Sequence, residues 1–177
     1  MKNEKDTKDI ILDLYCKYLA LDKKNLASVS DFCKTMNISR STFYSYFDGL
    51  WEVVDSLKIR HKIKLNNLYC SVNDCEMNFD VFFPLYLNFI KENILYYQIY
   101  FKVYSLDEIE FNVQMNKIHF KKLMNIPDDG KIENEYLFST YFVGFQSFIS
   151  HWIKGGYKES IDEFTDIAKS IFISLNK

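Results

Sequence analysis

A short segment near the N-terminus concentrates side chains that donate hydrogen bonds. It reads SRSTFYSY (residues 39–46) and combines one guanidinium with six hydroxyl groups. Guanidinium and hydroxyl groups donate to phosphate oxygens and to acceptors on the edges of nucleotide bases, and a tyrosine hydroxyl can anchor a phosphate. The segment is therefore a candidate nucleic-acid-contacting surface.

The segment predicts a helix over residues 40–47 whose two sides differ. At about 100° per residue, Phe43 and Phe47 share one face, which we expect to pack on the neighbouring helices. The opposite side and the flanks carry the polar residues Ser41, Thr42, Tyr44, Ser45 and Tyr46. Arg40 lies at the helix start, where recognition helices usually contact base edges.

The residues before this helix predict another short helix and a tight turn. Ser28 or Ser30 can cap the first helix, because a serine oxygen accepts hydrogen bonds from the free amides of the opening turn. Asn37 can adopt the left-handed conformation that ends a helix, and Ser39 caps the next one. Between the caps, apolar residues recur at spacings of three and four, as one buried face requires: Val29, Phe32, Cys33 and Met36.

Together, SVSDFCKTMN and ISRSTFYSYF resemble the helix-turn-helix signature of TetR-type transcriptional regulators. The family's recognition helix typically reads Ser-Arg/Lys-x-Thr-Leu/Phe-Tyr-x-His/Tyr-Phe, and the resemblance extends from Thr7 to about Asp55. The residues that fall on the pattern are Ser39, Arg40, Thr42, Phe43, Tyr44, Tyr46 and Phe47. The resemblance implies DNA contacts from Ser28, Ser30, Ser39, Arg40, Ser41, Thr42, Tyr44, Ser45 and Tyr46.

The chain departs from the family pattern at two positions. The glycine usual in the turn is Asn37 here, which can take the same left-handed conformation. The lysine that the family commonly carries at the start of the fourth helix aligns with Leu50, in FDGLWEVV. Because that lysine usually holds a phosphate, we expect one contact with the DNA backbone to be missing.

Length, composition and charge agree with a small regulator. The chain has 177 residues, of which 48% are hydrophobic, enough for a core in one compact unit or two small ones. No uninterrupted apolar run of about 18 residues exists and no signal peptide opens the chain, so we expect a cytoplasmic protein without a membrane partner. Residues 1–62 hold 11 Lys/Arg against 9 Asp/Glu, whereas residues 63–177 hold 11 against 15. The basic end is the one that would dock on DNA.

Helical patterns continue through the rest of the chain. The predicted elements are helices over 7–21 and 48–69, a turn over 73–78, a helix from Phe79 that breaks near Asn93, a helix over 107–124, a loop over 127–131, a helix over 133–154, and a last helix opened by the capping box Ser160-x-x-Glu163. The predicted fold is all-α with about nine helices. A three-helix DNA-binding head over residues 1–50 precedes a larger helical domain for ligand binding and dimerisation over residues 51–177.

The last two helices are the predicted dimer interface. The helix over 133–154 is apolar on most of its circumference, which indicates burial on more than one face, and the final helix is amphipathic. Two such helices pairing with their symmetry mates would form a four-helix interface, and the resemblance implies the same. The expected interface residues are Phe142, Ser147, His151, Phe164, Ala168, Ile171 and Leu175.

Aromatic residues are dense between positions 79 and 157, and two interpretations of them stay open. Because the family usually binds a small molecule in its helical body, they could line a pocket for an apolar or aromatic effector. Alternatively they are plain core, since the chain is rich in residue types with AT-rich codons. The candidate pocket residues are Tyr86, Phe89, Tyr97, Phe101, Tyr104, Phe120, Tyr141 and Phe145.

The cysteines do not indicate a metal site. Cys16 and Cys33 lie on apolar helix faces and are predicted to be buried thiols. Cys70 and Cys75 form a C-x₄-C pair in a polar turn, without a nearby histidine to complete a zinc site. Structural or incidental thiols and a redox-sensing pair both stay open for these two residues.

The sequence does not predict catalysis, a cofactor or a metal. His61, His119 and His151 are scattered, and no glycine-rich phosphate loop is present among the five glycines. No Ser-His-Asp or Cys-His set and no carboxylate pair in an apolar context can be assembled from local sequence. We therefore expect the protein not to be an enzyme.

Three functions remain open from the sequence. The first is a homodimeric transcriptional regulator, most often a repressor in the family, that binds a palindromic operator and is released by a small effector. The second is a DNA-binding regulator without a small ligand, controlled by a protein partner or acting as an activator. The third is a helical interaction module that has lost DNA binding.

Overall fold

The computed structural model describes residues 4–21, 28–72, 78–103 and 117–173, and it is helical with no strand in those ranges. The described helices are α1 (Glu4–Ala20), α2 (Val29–Thr35), α3 (Arg40–Tyr44), α4 (Leu50–Cys70), α5 (Phe79–Glu92), α6 (Ile94–Val103), α7 (Lys117–Leu123), α8 (Ile132–Lys154) and α9 (Ile161–Phe172). The predicted all-α class is confirmed. Within the described ranges, no helix is both long and apolar enough to cross a membrane.

The chain divides into two compact units, residues 1–65 and residues 66–177. The division falls within α4, whereas the sequence placed it at residue 50, where α4 begins. The difference has a physical reason, since Val53 and Leu57 on the first turns of α4 are buried. Those turns belong to the core of the first unit.

Aromatic rings join the helices of the first unit. The ring of Phe32 on α2 meets Tyr18 of α1 and Phe43 of α3 edge-on, with centroids 5.4 and 5.9 Å apart. The Tyr18 hydroxyl donates a 2.5 Å hydrogen bond to the Asp31 carboxylate, which ties α1 to α2. Phe47, after α3, is buried as its spacing from Phe43 predicted.

The turn between α2 and α3 depends on Asn37. Its φ is 55°, in the left-handed region that the sequence predicted for it. Most side chains adopt this region at a cost of about 1–2 kcal/mol, which asparagine reduces and glycine avoids. Asn37→Val should therefore lower the free energy of unfolding by about 1–2 kcal/mol, while Asn37→Gly should leave it nearly unchanged. Denaturant titration of both variants checks this, and equal stability of the two would contradict it.

An ionic contact links α4 to α1 in the first unit. One guanidinium nitrogen of Arg60 lies 2.7 Å from a carboxylate oxygen of Asp13, and the other lies 3.3 Å from one of Asp9. The next residue, His61, has a pKa lowered to about 3. The main cause is burial of the imidazole, and the positive charges of Lys64 and Arg60 add to it.

The low pKa of His61 predicts a pH-dependent stability. The unfolded chain binds a proton at this imidazole near pH 6.5, whereas the folded chain binds it only near pH 3. Stability from this residue is therefore present above pH 6.5 and is lost as the pH falls, by up to about 2 kcal/mol at pH 5. His61→Gln should flatten the pH dependence of the free energy of unfolding between pH 7 and 5. An unchanged slope would contradict the assignment.

The second unit has an aromatic core centred on Phe145 of α8. Its ring lies 5.4 Å from Phe83 on α5, 5.5 Å from Phe120 on α7 and 5.6 Å from Phe172 on α9. Each ring comes from a different helix, so one side chain joins four elements. Aromatic pairs at these separations stabilise by about 0.5–1.5 kcal/mol beyond the area that they bury.

Two local predictions in the second unit are confirmed. The break at Asn93 separates α5 from α6. Ser160 and Glu163 form the predicted capping box at the start of α9, with side-chain hydrogen bonds in both directions. Gly156, with φ of 80°, follows the end of α8. Residues 73–77 of the predicted turn and residues 107–116 of the predicted helix over 107–124 lie outside the described residues.

A buried lysine connects α7, the following loop and α8. The Lys121 ammonium lies 2.7 Å from an Asp128 oxygen and 2.8 Å from a Glu135 oxygen, and Glu135 also pairs with Lys117. These hydrogen bonds raise the pKa of Lys121, and those from Lys117 and Lys121 lower the pKa of Glu135. The opposite charges compensate each other, so the cluster has a structural role in holding the loop.

The residues of the predicted dimer interface differ in their exposure. Phe142, Phe164 and Ala168 are buried within a single chain. The Phe142 ring of α8 packs on Phe120 of α7, and α9, which carries Phe164 and Ala168, packs against α5 and α8. Their side chains are therefore not available to a second copy. Ser147, His151 and Ile171 are exposed, and Leu175 lies outside the described residues.

Candidate nucleic-acid interface

Two serine hydroxyls that accept hydrogen bonds from backbone amides fix the start of α2 and of α3. The Ser28 hydroxyl accepts from the Asp31 amide at 3.1 Å, and the Ser39 hydroxyl accepts from the Thr42 amide at 2.9 Å. Sequence left Ser28 and Ser30 as alternative caps, and the structure selects Ser28. Because caps satisfy the open amides of the first turn, each short helix begins at a defined residue.

The predicted extent of the second helix is wrong at its end. We expected a helix over residues 40–47, but α3 ends at Tyr44 and Ser45 caps it. The Tyr46 amide donates to the Phe43 carbonyl three residues earlier, whereas an α-helical bond would span four residues. The Phe47 amide donates to the same carbonyl. Tyr46 and Phe47 therefore lie in the turn that leads to α4.

Burying Phe43 places the polar residues of α3 at the surface. Arg40, Ser41 and Ser45 are exposed, and the side chain of Tyr44 is 48% exposed. The Arg40 guanidinium lies 6.0 Å from the centre of the Tyr44 ring, so the two side chains share one patch. Thr42 and Tyr46 are half-buried.

The predicted contact residues differ in how their polar groups are used. The hydroxyls of Ser39, Ser41 and Thr42 lie 2.7–2.8 Å apart in one small network. The Ser45 hydroxyl donates to the Ser41 carbonyl at 2.9 Å. In the described part of the chain, by contrast, the Arg40 guanidinium and the Tyr44 hydroxyl have no hydrogen-bond partner. Both side chains are exposed, so both groups are available to a ligand.

Charge distribution favours an anion at this surface. Asp31 is the only carboxylate between residues 28 and 47, and its side chain turns inward to the Tyr18 hydroxyl. The exposed cations of the same segment are Lys34 and Arg40. A surface with two cations, several hydroxyls and an inward-facing carboxylate suits phosphate groups.

Two exposed residues near the surface were not among the predicted contacts. Lys34 lies one helical turn after Ser30 on the exposed side of α2. Its position on the side of α2 opposite the buried Phe32 could have been predicted from the sequence. Trp51 is 64% exposed in the first turn of α4, beside the half-buried Leu50. Its indole packs over Gly49, where an added Cβ would lie 2.8 Å from the ring.

The predicted pocket residues of the second unit pack on one another. Five of the side chains are buried: Tyr86, Phe89, Tyr97, Phe120 and Phe145. The Tyr97 hydroxyl donates to that of Tyr86 across 3.5 Å, and the Tyr86 ring lies 6.3 Å from that of Phe145. Tyr141 is half-buried against Phe172. The Phe101 side chain and Tyr104 lie outside the described residues. These contacts are those of a packed core, and the effector pocket stays a prediction.

The cysteines are placed as far as the described residues allow. Cys16 and Cys33 are buried as predicted, and burial raises the pKa of the Cys16 thiol to about 11. Cys70 is exposed at the end of α4, and Cys75 lies outside the described ranges. Among described side chains, no three His, Cys, Asp or Glu residues come together as a metal ion would require.

Comparison of the chain with known proteins found no match: no family model, no curated protein and no solved structure is similar to it.

Proposed function

We propose that the protein is a sequence-specific DNA-binding transcriptional regulator of the TetR type, which binds a roughly palindromic operator as a homodimer. One observation carries the proposal. The short, capped helix α3 presents Arg40 and Tyr44 side by side with uncommitted hydrogen-bonding groups, while Phe43 anchors the helix in the core. A recognition helix requires both features, since its buried side holds it on the domain and its exposed polar side contacts the DNA.

The chemistry of the patch suits duplex DNA. An arginine can donate two hydrogen bonds to the O6 and N7 atoms of guanine in the major groove, which gives sequence preference. Tyrosine, lysine and serine side chains bind phosphates and fix the position of the protein on the duplex. The first unit holds 12 Lys/Arg against 9 Asp/Glu and the second holds 10 against 15, so the positive end is the one carrying α3.

Dimerisation belongs to the proposal because one short helix reads few base pairs. Two copies related by a two-fold axis would place two α3 helices in successive major grooves, about 34–36 Å apart. The exposed Ile167 and Ile171 on α9 lie one turn apart, and Ser147 and His151 are exposed on α8. This revised set replaces the buried residues of the predicted interface.

Regulation by a small effector is the remaining part of the proposal. We place a small apolar or aromatic effector in the second unit, where it releases the protein from its operator and so relieves repression. Support comes from the resemblance to TetR-type regulators, which usually bind a small molecule in their helical body. Thermal shift measurements with flat hydrophobic compounds test it, and no stabilisation by any compound would count against an effector.

The salt dependence of duplex binding tests DNA recognition itself. Genuine phosphate contacts release counterions, so the logarithm of affinity falls with the logarithm of salt by about 0.9 per phosphate neutralised. We expect a slope of several units for the full chain with a mixed-sequence duplex between about 50 and 200 mM salt. A folded protein whose weak binding does not respond to salt would instead favour the interaction-module function.

Removing the Tyr44 hydroxyl separates binding from folding. Tyr44→Phe should weaken duplex binding by about 0.5–1.5 kcal/mol per hydrogen bond lost. It should leave the free energy of unfolding within about 0.5 kcal/mol of the natural protein, because the hydroxyl is at the surface. Fluorescence anisotropy with labelled DNA and denaturant titration measure the two effects. A stability loss without a binding loss would contradict the placement of Tyr44 in the interface.

A further inference from the structure

A groove in the first unit has features that DNA contact does not require. It has a volume of about 750 Å³ and lies between α1 and α4. Small-molecule sites commonly occupy about 300–1,000 Å³, so the groove is large enough for one such molecule. All the residues that line it lie between positions 8 and 64, within the first unit.

The apolar residues that line the groove, its floor, are aliphatic, and two of the three are exposed to water. Leu12 of α1 and two isoleucines of α4 form it, and Ile59 and Ile63 are 59% and 57% exposed. They are one helical turn apart and therefore lie on the same side of α4. Each can still bury apolar surface, which favours binding of a hydrocarbon by about 25 cal/mol per Å² covered.

The rim of the groove has a positive charge excess. Three cations line it, Lys8, Arg60 and Lys64, against the carboxylate of Asp9, and the Asp13 carboxylate pairs with Arg60 from outside the lining, so the excess is one positive charge. Arg60 is engaged by Asp9 and Asp13, which fixes its guanidinium at the edge of the floor.

We propose that this groove binds one anionic amphiphile, a free molecule with an alkyl tail and a carboxylate or similar head. The tail covers Ile59 and Ile63 on the aliphatic floor, and the cations at the rim hold the head. A single molecule, not a bilayer, is the occupant because the groove has the volume of one ligand. A flat membrane surface would reach exposed side chains outside the groove equally well.

Two residues of the groove connect it to the proposed DNA interface. Ser45 and Tyr46 line the groove and also belong to the predicted DNA contacts. A bound amphiphile should therefore oppose DNA binding. This consequence rests on the proposed function, whereas the ligand site itself does not and can be tested without DNA.

The test is a titration of the full chain with decanoate, below its micelle concentration and without DNA. We expect saturable binding of one decanoate, with amide chemical shift changes confined to residues 8–12, 45–46 and 56–64. Decyltrimethylammonium, which has the same tail and the opposite charge, should bind at least about tenfold more weakly. No saturable binding, equal binding of the cation, or shift changes confined to residues 66–177 would each overturn the proposal.

Matched substitutions locate the site. Ile63→Asn removes part of the exposed floor and should weaken decanoate binding by about tenfold. Ile10→Asn is the control, since Ile10 is an equally exposed isoleucine of α1 outside the groove, and it should leave binding unchanged. Equal effects of the two variants would overturn the assignment. So would binding to anionic phospholipid vesicles by a protein that ignores free decanoate.

Discussion

Arg40→Ala should abolish selective binding to the operator while leaving the fold intact. An arginine that reads one guanine contributes about 1–3 kcal/mol of discrimination, and a homodimer would lose two such contacts. The expected loss is therefore about 2–6 kcal/mol, or roughly 30-fold to 20,000-fold in affinity. Stability should not change, because the guanidinium is exposed and has no hydrogen-bond partner within the described residues.

Two further variants make this result specific. Arg40→Lys keeps the charge but loses the planar pair of donors, so it should retain salt-dependent binding and lose most of the sequence preference. Lys17→Ala removes an exposed cation of α1, away from the candidate interface, and should have little effect. Competition assays between operator and random duplexes measure all three. A loss with Lys17→Ala as large as with Arg40→Ala would show that only overall charge matters.

Phe43→Ala should strongly destabilise the first unit, because it removes the side chain that packs α3 against α2. The Phe43 side chain is completely buried and packs on Phe32 and Phe47 at ring separations of 5.9 and 5.8 Å. Truncating a buried phenylalanine costs about 3–5 kcal/mol, including the cavity that it leaves. That is a large part of the roughly 5–15 kcal/mol that stabilises a typical domain.

Hydrogen exchange combined with denaturant titration checks the effect of Phe43→Ala. Protection of backbone amides should fall over residues 28–65 and persist over residues 78–103 and 117–173. Tyr44→Phe is the matched control, because it alters the neighbouring aromatic residue at the surface. Equal stability losses in the two variants would mean that the helical phase assigned to α3 is wrong.

Local features of the fold could be predicted because single residues determine them. The left-handed turn at Asn37, the cap at Ser39 and the capping box of Ser160 and Glu163 depend on backbone groups within a few residues. The burial of Phe43 and of Phe47, which follows α3, was predicted from their spacing alone. These are interactions within one or two helical turns, which sequence patterns record directly.

Features that depend on partners distant in the sequence could not be predicted. The apolar face of α9 predicted burial, but sequence did not distinguish burial against α5 from burial against a second copy. For Ala168 the intramolecular contact is the one observed. Similarly, the end of α3 at Tyr44 results from the turn that seats Phe47 in the core. No pattern in the sequence indicated that Ile59 and Ile63 are exposed.

Selection of bound duplexes from a random DNA pool, using the purified protein at moderate salt, tests the central proposal most directly. The account predicts recovery of a roughly palindromic site whose half-sites lie about ten base pairs apart, the spacing of successive major grooves. Arg40→Ala, selected in parallel, should not recover it. If the folded natural protein enriches no sequence above background, it is not a sequence-specific DNA-binding regulator.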